Sequence, residues 1–461
     1  MSISEPTQAY VWIWLPGASD PVVAGLLSTQ GDVVAFNYGE SYLARQGALS
    51  IYTPELPLSP GVKMPSVGPI AGCFADAGPD SWGRRIILRS RFGRSLGDAD
   101  DLPELTFLLE SGSNRVGALD FQASPTDYVS RENDHSTLEE LADAAAQLEA
   151  GQPLSPALSD ALLNGTAIGG ARPKALLRDG ARHLIAKFSS STDVSPMMKW
   201  EFVAMDLARR SGLCVAPVEI RQALGRDVLV VERFDRPGSG LRRSMVSALT
   251  ILKLIPMTAR YATYYDLAFQ IRSHGVAPAD DTHELFSRIS FNILSGNTDD
   301  HARNHAAFWD GTNLKLTPAY DIAPQPRSGG EATQAMDIGP NFRMSQLAGL
   351  VRHADAYLLT QTQAREIINS QIETIRADWD EVCDAARLTI TERSEIVGRQ
   401  FLNPYAFDGY EHGKLNAPSR PGVNTRTPSG NQPRVPRGRR GGGEFAPTIN
   451  PESNVDLGEG G

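Results

Sequence analysis

Asn297-Thr-Asp-Asp-His-Ala-Arg-Asn304 is the stretch on which the reading of this chain turns. Asp299 and Asn304 form an Asp-x4-Asn pair. The apolar segment Asn313-Leu-Lys-Leu-Thr-Pro-Ala-Tyr320 then reads as a strand that delivers Asp321. In phosphoryl transfer one Asp takes or orients the acceptor's hydroxyl proton, while an Asn and a second Asp offer hard oxygens to Mg²⁺ beside the phosphates. Asp299, Asn304 and Asp321 meet that need in the required order. Two other readings stay open at this point. Asx and His residues in a polar loop often only cap turns through side chain to backbone hydrogen bonds. His301 and His305, four apart beside two aspartates, could ligate zinc if the segment were helical. The crowding of Asn and Asp argues for a loop, and no third ligand stands at a zinc spacing.

Upstream, Gly165-Thr-Ala-Ile-Gly-Gly-Ala-Arg-Pro-Lys174 is glycine-rich and ends in two cations. Such a turn lets backbone N–H groups approach phosphate oxygens, although it is neither a Walker A motif nor G-x-G-x-x-G, and a purely structural turn has the same composition. Ala175–Arg178 and His183–Phe188 read as a hairpin around Asp179-Gly180. Lys187 ends its second strand, where a kinase keeps the lysine that grips the α- and β-phosphates; an edge lysine guarding against aggregation is the plainer alternative. Ser195–Arg210 reads as an amphipathic helix with Glu201 in its first half, in position to pair with Lys187 or to face solvent. Val215–Gln222 and Asp227–Glu232 form another strand pair ending in Glu232-Arg233-Phe234-Asp235-Arg236, a handover into mostly helical sequence from about 245 to 410. The expected helices there are 247–254, 264–273, 282–294, 344–351, 355–378 and 391–402. The order of parts is Gly-rich loop, strand lysine, helix glutamate, hinge, Asp-x4-Asn, strand, Asp.

At 461 residues the chain is long enough for two or three domains. Its net charge of −10 supplies no general attraction for nucleic acid. Cys73, Cys214 and Cys383 are scattered, as expected in a reducing compartment without a disulfide framework. No run approaches the length of a membrane span, so the expectation is a soluble, cytoplasmic protein with no membrane partner. Residues 1–125 read as short strands (10–15, 21–27, 32–38, 48–52) with one helix at 80–92, a scaffold or interaction surface with no catalytic constellation. Ser136-Thr137-Leu138-Glu139 opens a further helix with a capping-box pattern. After 410 the composition turns to Pro, Gly, Ser, Asn and Arg. Arg420–Arg440 carries six arginines and no acid, which reads as a disordered tail or a dock for an acidic partner.

Taken together these residues resemble the HipA family, the bacterial serine/threonine kinase toxins of type II toxin–antitoxin pairs, from about residue 10 to about 405. The resemblance is carried by Phe74–Arg84, Gly169–Lys174, Val231–Arg236, Asn297–Asn304 and Leu316–Ile322. It implies an α+β, two-lobed protein-kinase-like fold. The expected parts are a β-rich N-terminal interaction domain (1–125), a β-rich ATP lobe (126–240), an all-helical C-terminal lobe (241–410) and the tail (411–461). It implies that Lys187, with Gly169, Gly170 and Lys174 of a mobile loop, binds ATP phosphates, and that Val231, Glu232 and Phe234 form the adenine hinge. Asp299 would be the catalytic base, and Asn304 and Asp321 the Mg²⁺ ligands. The implied substrate is a protein of the translation machinery, typically an aminoacyl-tRNA synthetase, whose phosphorylation arrests growth. The implied partner is a HipB-like helix-turn-helix antitoxin, through which DNA is met indirectly. Family members often carry an autophosphorylated serine seven residues before the loop lysine; here that position is Ala167, with Thr166 beside it. A same-fold kinase acting on a small molecule or lipid head group, and a non-catalytic interaction protein, are the alternatives.

Overall fold

β1 (Gln8–Ile13) reads Gln-Ala-Tyr-Val-Trp-Ile, and the sheet it joins buries Ala9, Val11 and Ile13 on one side. β2 (Val22–Gln30), β3 (Val33–Tyr38) and β4 (Leu119–Gln122) complete an antiparallel sheet of order β3-β2-β1-β4. The structure is a computed structural model that describes residues 5–92, 102–132, 136–150, 173–190, 193–238, 240–327 and 329–411, plus positions 152, 155, 158 and 162. The Gly-rich stretch with Thr166, Ala167, Gly169 and Gly170, and the tail from 412 onward, lie outside the described residues.

The strand expected at 48–52 does not form a ladder. Its backbone is satisfied by tyrosine hydroxyls instead: Ile51 N–H donates to Tyr38 Oη at 2.9 Å, and Tyr42 Oη donates to the Leu49 carbonyl at 2.9 Å. The first 125 residues also hold more helix than the sequence suggested. α1 (Glu40–Leu43), α2 (Gly72–Asp76) and α4 (Glu104–Glu110) join the expected α3 (Ser81–Phe92). In α3 the apolar residues Trp82, Ile86, Ile87 and Leu88 are all buried.

They are buried against the second sheet. β5 (Lys174–Asp179), β6 (Arg182–Phe188), β7 (Val218–Ala223) and β8 (Arg226–Glu232) form an antiparallel sheet of order β5-β6-β8-β7. Strand alternation divides its side chains between two cores. Ala186, Val228 and Val230 join Trp82 and Ile86 of α3, together with Leu141 and Ala145 of α5 (Leu138–Glu149). Leu229 and Val231 belong to the larger core with α6 (Met197–Arg210), the first sheet and the helical lobe. α5 opens on a capping box formed by Thr137 and Glu140, one residue later than the Ser136–Glu139 pattern.

The helical lobe is built on α7 (Ala248–Ile251), α8 (Tyr264–His274), α9 (Pro278–Ser295), α10 (Leu347–Arg352), α11 (Gln361–Ala385) and α12 (Ile390–Ile396). α11 starts at 361 and not 355 because Thr360 and Gln363 cap it reciprocally. The lobe is not wholly helical: β9 (Met245–Ser247), β10 (Ala306–Trp309) and β11 (Leu314–Leu316) form a three-stranded antiparallel sheet. β11 is the strand expected before Asp321, and β10, which the sequence reading did not mark, pairs with it. No helix among the described residues is long and apolar enough to cross a membrane.

Between the sheets runs a buried ionic network. Arg233 holds both oxygens of Asp235, Nε to Oδ1 at 2.9 Å and Nη2 to Oδ2 at 2.7 Å, and its Nη1 donates to Asn114 Oδ1 at 2.7 Å. Arg236 donates to the Gly117 carbonyl at 2.9 Å, and Gly117 N–H donates to Asp235 Oδ2 at 2.8 Å. The segment after β8 is thereby keyed to the loop before β4. Burial alone would raise the Asp235 pKa, but the two guanidinium groups hold it well below the usual carboxylate range. Removing it leaves two buried arginines without their anion. Asp235→Ala is expected to cost ~3–5 kcal/mol, read as a lowered urea midpoint at pH 7. A depressed carboxylate stabilises fully above its unfolded pKa of about 4 and loses that contribution as pH falls towards its folded value. The gap between wild type and Asp235→Asn should therefore narrow on acidification below about pH 4.

Candidate active site

α9 ends at Gly296, whose φ of +71° turns the chain out of the helix, and Asn297 N–H closes back on the Asn292 carbonyl at 2.9 Å. The polar stretch that follows is a pinned loop, ending in a single 3₁₀ turn at Ala302–Asn304. Its anchor is Asp300. Asp300 Oδ2 accepts from Tyr264 Oη at 2.5 Å, Asn292 Nδ2 at 2.7 Å and His305 Nε2 at 2.8 Å, all buried. This three-donor site fixes the residue next to Asp299. With His305 committed to Asp300, the two histidines do not form a zinc site, and no group of three or more His, Cys, Asp or Glu side chains is set to hold a metal among the described residues.

After the β10–β11 hairpin, Ala319 N–H donates to the Cys214 carbonyl at 2.7 Å, which ties the chain to the β lobe. The next residue but one is Asp321, in the left-handed region at φ +60°. A non-glycine residue held there is uncommon and concentrates at functional sites. It aims the carboxylate at two other groups. Lys187 Nζ lies 2.5 Å from Asp321 Oδ1 and 2.6 Å from Glu201 Oε1, and Asn304 Nδ2 donates to Asp321 Oδ2 at 2.5 Å. Residues from β6, α6, the loop and the stretch after β11 meet here.

The electrostatics follow from this packing. Burial alone would lower the Lys187 pKa, but the Asp321 and Glu201 charges outweigh it and raise it. Burial would raise Asp321; the Lys187 ammonium and its hydrogen bond bring it down to about 2. Asp299 is shifted the other way, upward, because burial dominates over the neighbouring His301. Asp321 offers carboxylate oxygens of the hard kind that Mg²⁺ takes, while Asn304 turns its Nδ2 to Asp321 and its Oδ1 accepts from His301 N–H at 3.1 Å.

The remaining candidates fall close by. Lys174 stands opposite Lys187 in the β5–β6 register, and its Nζ is 3.5 Å from Asp80 Oδ2. Val231 is buried on β8, and Glu232 pairs with Leu184 while its carboxylate lies 3.7 Å from Arg182. Phe234 packs against Tyr320, with ring centroids 5.7 Å apart, beside Asp321. Two aspartates of the N-terminal sequence were missed as site neighbours. Asp76 accepts from Ser247 N, Ser247 Oγ and Thr250 Oγ1, and Asp80 meets Lys174. Both lie in the Phe74–Arg84 stretch that carries part of the family resemblance, which was the signal available for them.

A strand lysine shared by a helix glutamate and an aspartate beyond the loop, between a β lobe and a helical lobe, defines a protein-kinase-like fold. The HipA N-terminal domain family matches residues 14–122 and the HipA-like C-terminal domain family matches residues 166–379. The chain belongs to the HipA family. It is 34% identical over 150 residues to a protein of Sinorhizobium fredii named as a candidate kinase, Y4mE, covering 30% of this chain and 33% of that one. It is 28% identical over 186 residues to the serine/threonine-protein kinase toxin HipA of Shewanella oneidensis, covering 34% of this chain and 42% of that one. The matched stretch thus spans well under two thirds of either relative. A solved complex of HipA, HipB and operator DNA from Shewanella oneidensis MR-1 shares the fold at a TM-score of 0.59 and 20% identity, over 84% of this chain and 96% of that one.

Gly296 tests the loop's anchorage. A Cβ there would lie 2.8 Å from the Gln400 carbonyl oxygen, on top of the unfavourable φ. Gly296→Ala should destabilise the protein by ~1–3 kcal/mol, measured as a drop in thermal midpoint.

Proposed function

We propose that this chain is an ATP- and Mg²⁺-dependent protein serine/threonine kinase. The observation that carries the reading is Lys187 bridging Glu201 and Asp321 while Asn304 holds the second oxygen of Asp321. Lys187 would offer its ammonium to the nucleotide's phosphates, with Glu201 keeping the side chain extended into the cleft. Asp321 and Asn304 would hold Mg²⁺, which neutralises phosphate charge when bound. Asp299 would accept or orient the acceptor's hydroxyl proton, and its upward-shifted pKa makes it a better base than an ordinary carboxylate. The backbone from Val231 through Glu232 to Phe234 would meet the adenine edge. Lys174 and the glycines Gly169 and Gly170 would close over the phosphates.

The proposal extends to a protein acceptor in the translation machinery, with an aminoacyl-tRNA synthetase as the first candidate, and to a HipB-like antitoxin that links the chain to DNA. Membership of the family supports both, and the fold-sharing neighbour solved with HipB and operator DNA supports the second.

Asp299→Asn is expected to lower phosphate transfer ~10²–10⁴-fold while ATP affinity stays near wild type. The measurement is transfer from γ-labelled ATP into a ribosome-free bacterial lysate, beside equilibrium ATP binding. Transfer retained by this variant would remove Asp299 from its role, and the labelled lysate protein would name the acceptor.

A further inference from the structure

A very short piece of the N-terminal sequence passes from one hydrophobic core to the other. Phe74 and Ala77 belong to the core shared with the helical lobe, whereas Trp82 belongs to the core beneath the β5–β8 sheet. Between them the chain makes one polar attachment to each lobe. Asp76 grips the helical lobe: its Oδ1 accepts from Ser247 Oγ at 2.7 Å, and its Oδ2 from Ser247 N at 2.7 Å and Thr250 Oγ1 at 2.8 Å. The approach is close enough that a Cβ on Gly72 would lie 2.6 Å from Thr250 Oγ1. Asp80 serves the β lobe: its Oδ1 accepts from Gly83 N at 2.7 Å at the start of α3, and its Oδ2 faces Lys174 Nζ, both side chains nearly buried.

Each attachment lies one strand pairing from the candidate site. Ser247 pairs with Ala306, and the adjoining Ala248 N–H donates to the His305 carbonyl at 2.8 Å, next to Asn304. Lys174 pairs with Lys187. A link of four residues reaches at most ~14 Å when fully extended, and Pro79 within it has a fixed φ. The separation of Lys187 from Asn304 and Asp321 is therefore limited from outside the two lobes that carry them.

We infer that Asp76–Asp80 is a clasp across the cleft, and that Asp80 is a positioning residue that sets Lys174 at the end of the Gly-rich loop. The inference rests on the kinase reading for its effect on nucleotide, but not for its effect on lobe separation. Two measurements keep these apart. In steady-state transfer, Asp80→Asn should raise KM for ATP ~10-fold with a smaller change in kcat, and Asp80→Glu should recover part of the loss. Asp80→Asn combined with Lys174→Met should be no worse than Lys174→Met alone. A purely structural role would lower the thermal midpoint without that split or that non-additivity.

The second measurement is the distance between spin labels on Ala181→Cys and Glu373→Cys, one on each lobe, in a Cys214→Ser background without nucleotide. A narrow distribution that broadens in Asp76→Asn and Asp80→Asn supports the clasp even if the wild type transfers no phosphate, in which case the kinase reading alone falls. Active wild type with KM and distances unchanged in both variants overturns the clasp.

Discussion

A single ammonium group held between two carboxylates organises this molecule. Lys187 comes from a strand of the β lobe, Glu201 from the helix packed behind it and Asp321 from the helical lobe. Two buried or half-buried carboxylates without a cation would repel each other and lose their solvation, so the helical lobe's Asp321 depends on the β lobe's Lys187 for its counter-charge. Much of the surrounding structure serves to bring those three groups within 3 Å. Alternation along β6 directs Lys187, α6 carries Glu201 on its buried side, and the left-handed turn at Asp321 bends its carboxylate back to the lysine. The Asp300 anchor then fixes the loop that brings Asn304 to the same oxygen pair.

The N-terminal sequence takes part in this balance. Its helix α3 fills the space beneath the β5–β8 sheet, its loop at 114–117 receives the Arg233–Asp235–Arg236 cluster, and its two aspartates touch both lobes. A sheet of four strands has two faces, and here one is covered by α6 and the other by helices that precede the Gly-rich stretch in sequence. The β lobe has no complete core without them.

What could be read from the sequence was what local spacing encodes. Asp299, Asn304 and Asp321 stand at fixed intervals, the Asp179-Gly180 turn sets the hairpin that carries Lys187, and the 3.6-residue period marks α6, α8 and α9. The structure brings Lys187, Glu201, Asn304 and Asp321 together. What escaped was whatever depends on distant partners. Nothing in residues 48–52 announces that Tyr38 and Tyr42 hydroxyls will replace a strand partner. Nothing around Trp82 says whether its apolar face meets water or a sheet formed from residues 174–232. The arginines of Glu232-Arg233-Phe234-Asp235-Arg236 looked like a hinge, and their anchoring to Asn114 and Gly117 is a contact between segments far apart in sequence. Short strands such as β4 and β9 are too brief for periodicity to reveal.

The division of labour beneath the β5–β8 sheet also dictates an order of events during synthesis. Trp82, Ile86 and Ile87 leave the ribosome well before the strands that cover them, and at ~5–20 residues per second the delay is on the order of ten seconds. During that interval the nascent chain carries an unfilled apolar helix face that no later rearrangement within the first sheet can hide. That face is covered only when β8 arrives, because Val228 and Val230 belong to its core while Leu229 and Val231 face the larger one. One strand thus contributes to both cores, and a chain interrupted before residue 226 lacks Val228 and Val230 from the one and Leu229 and Val231 from the other.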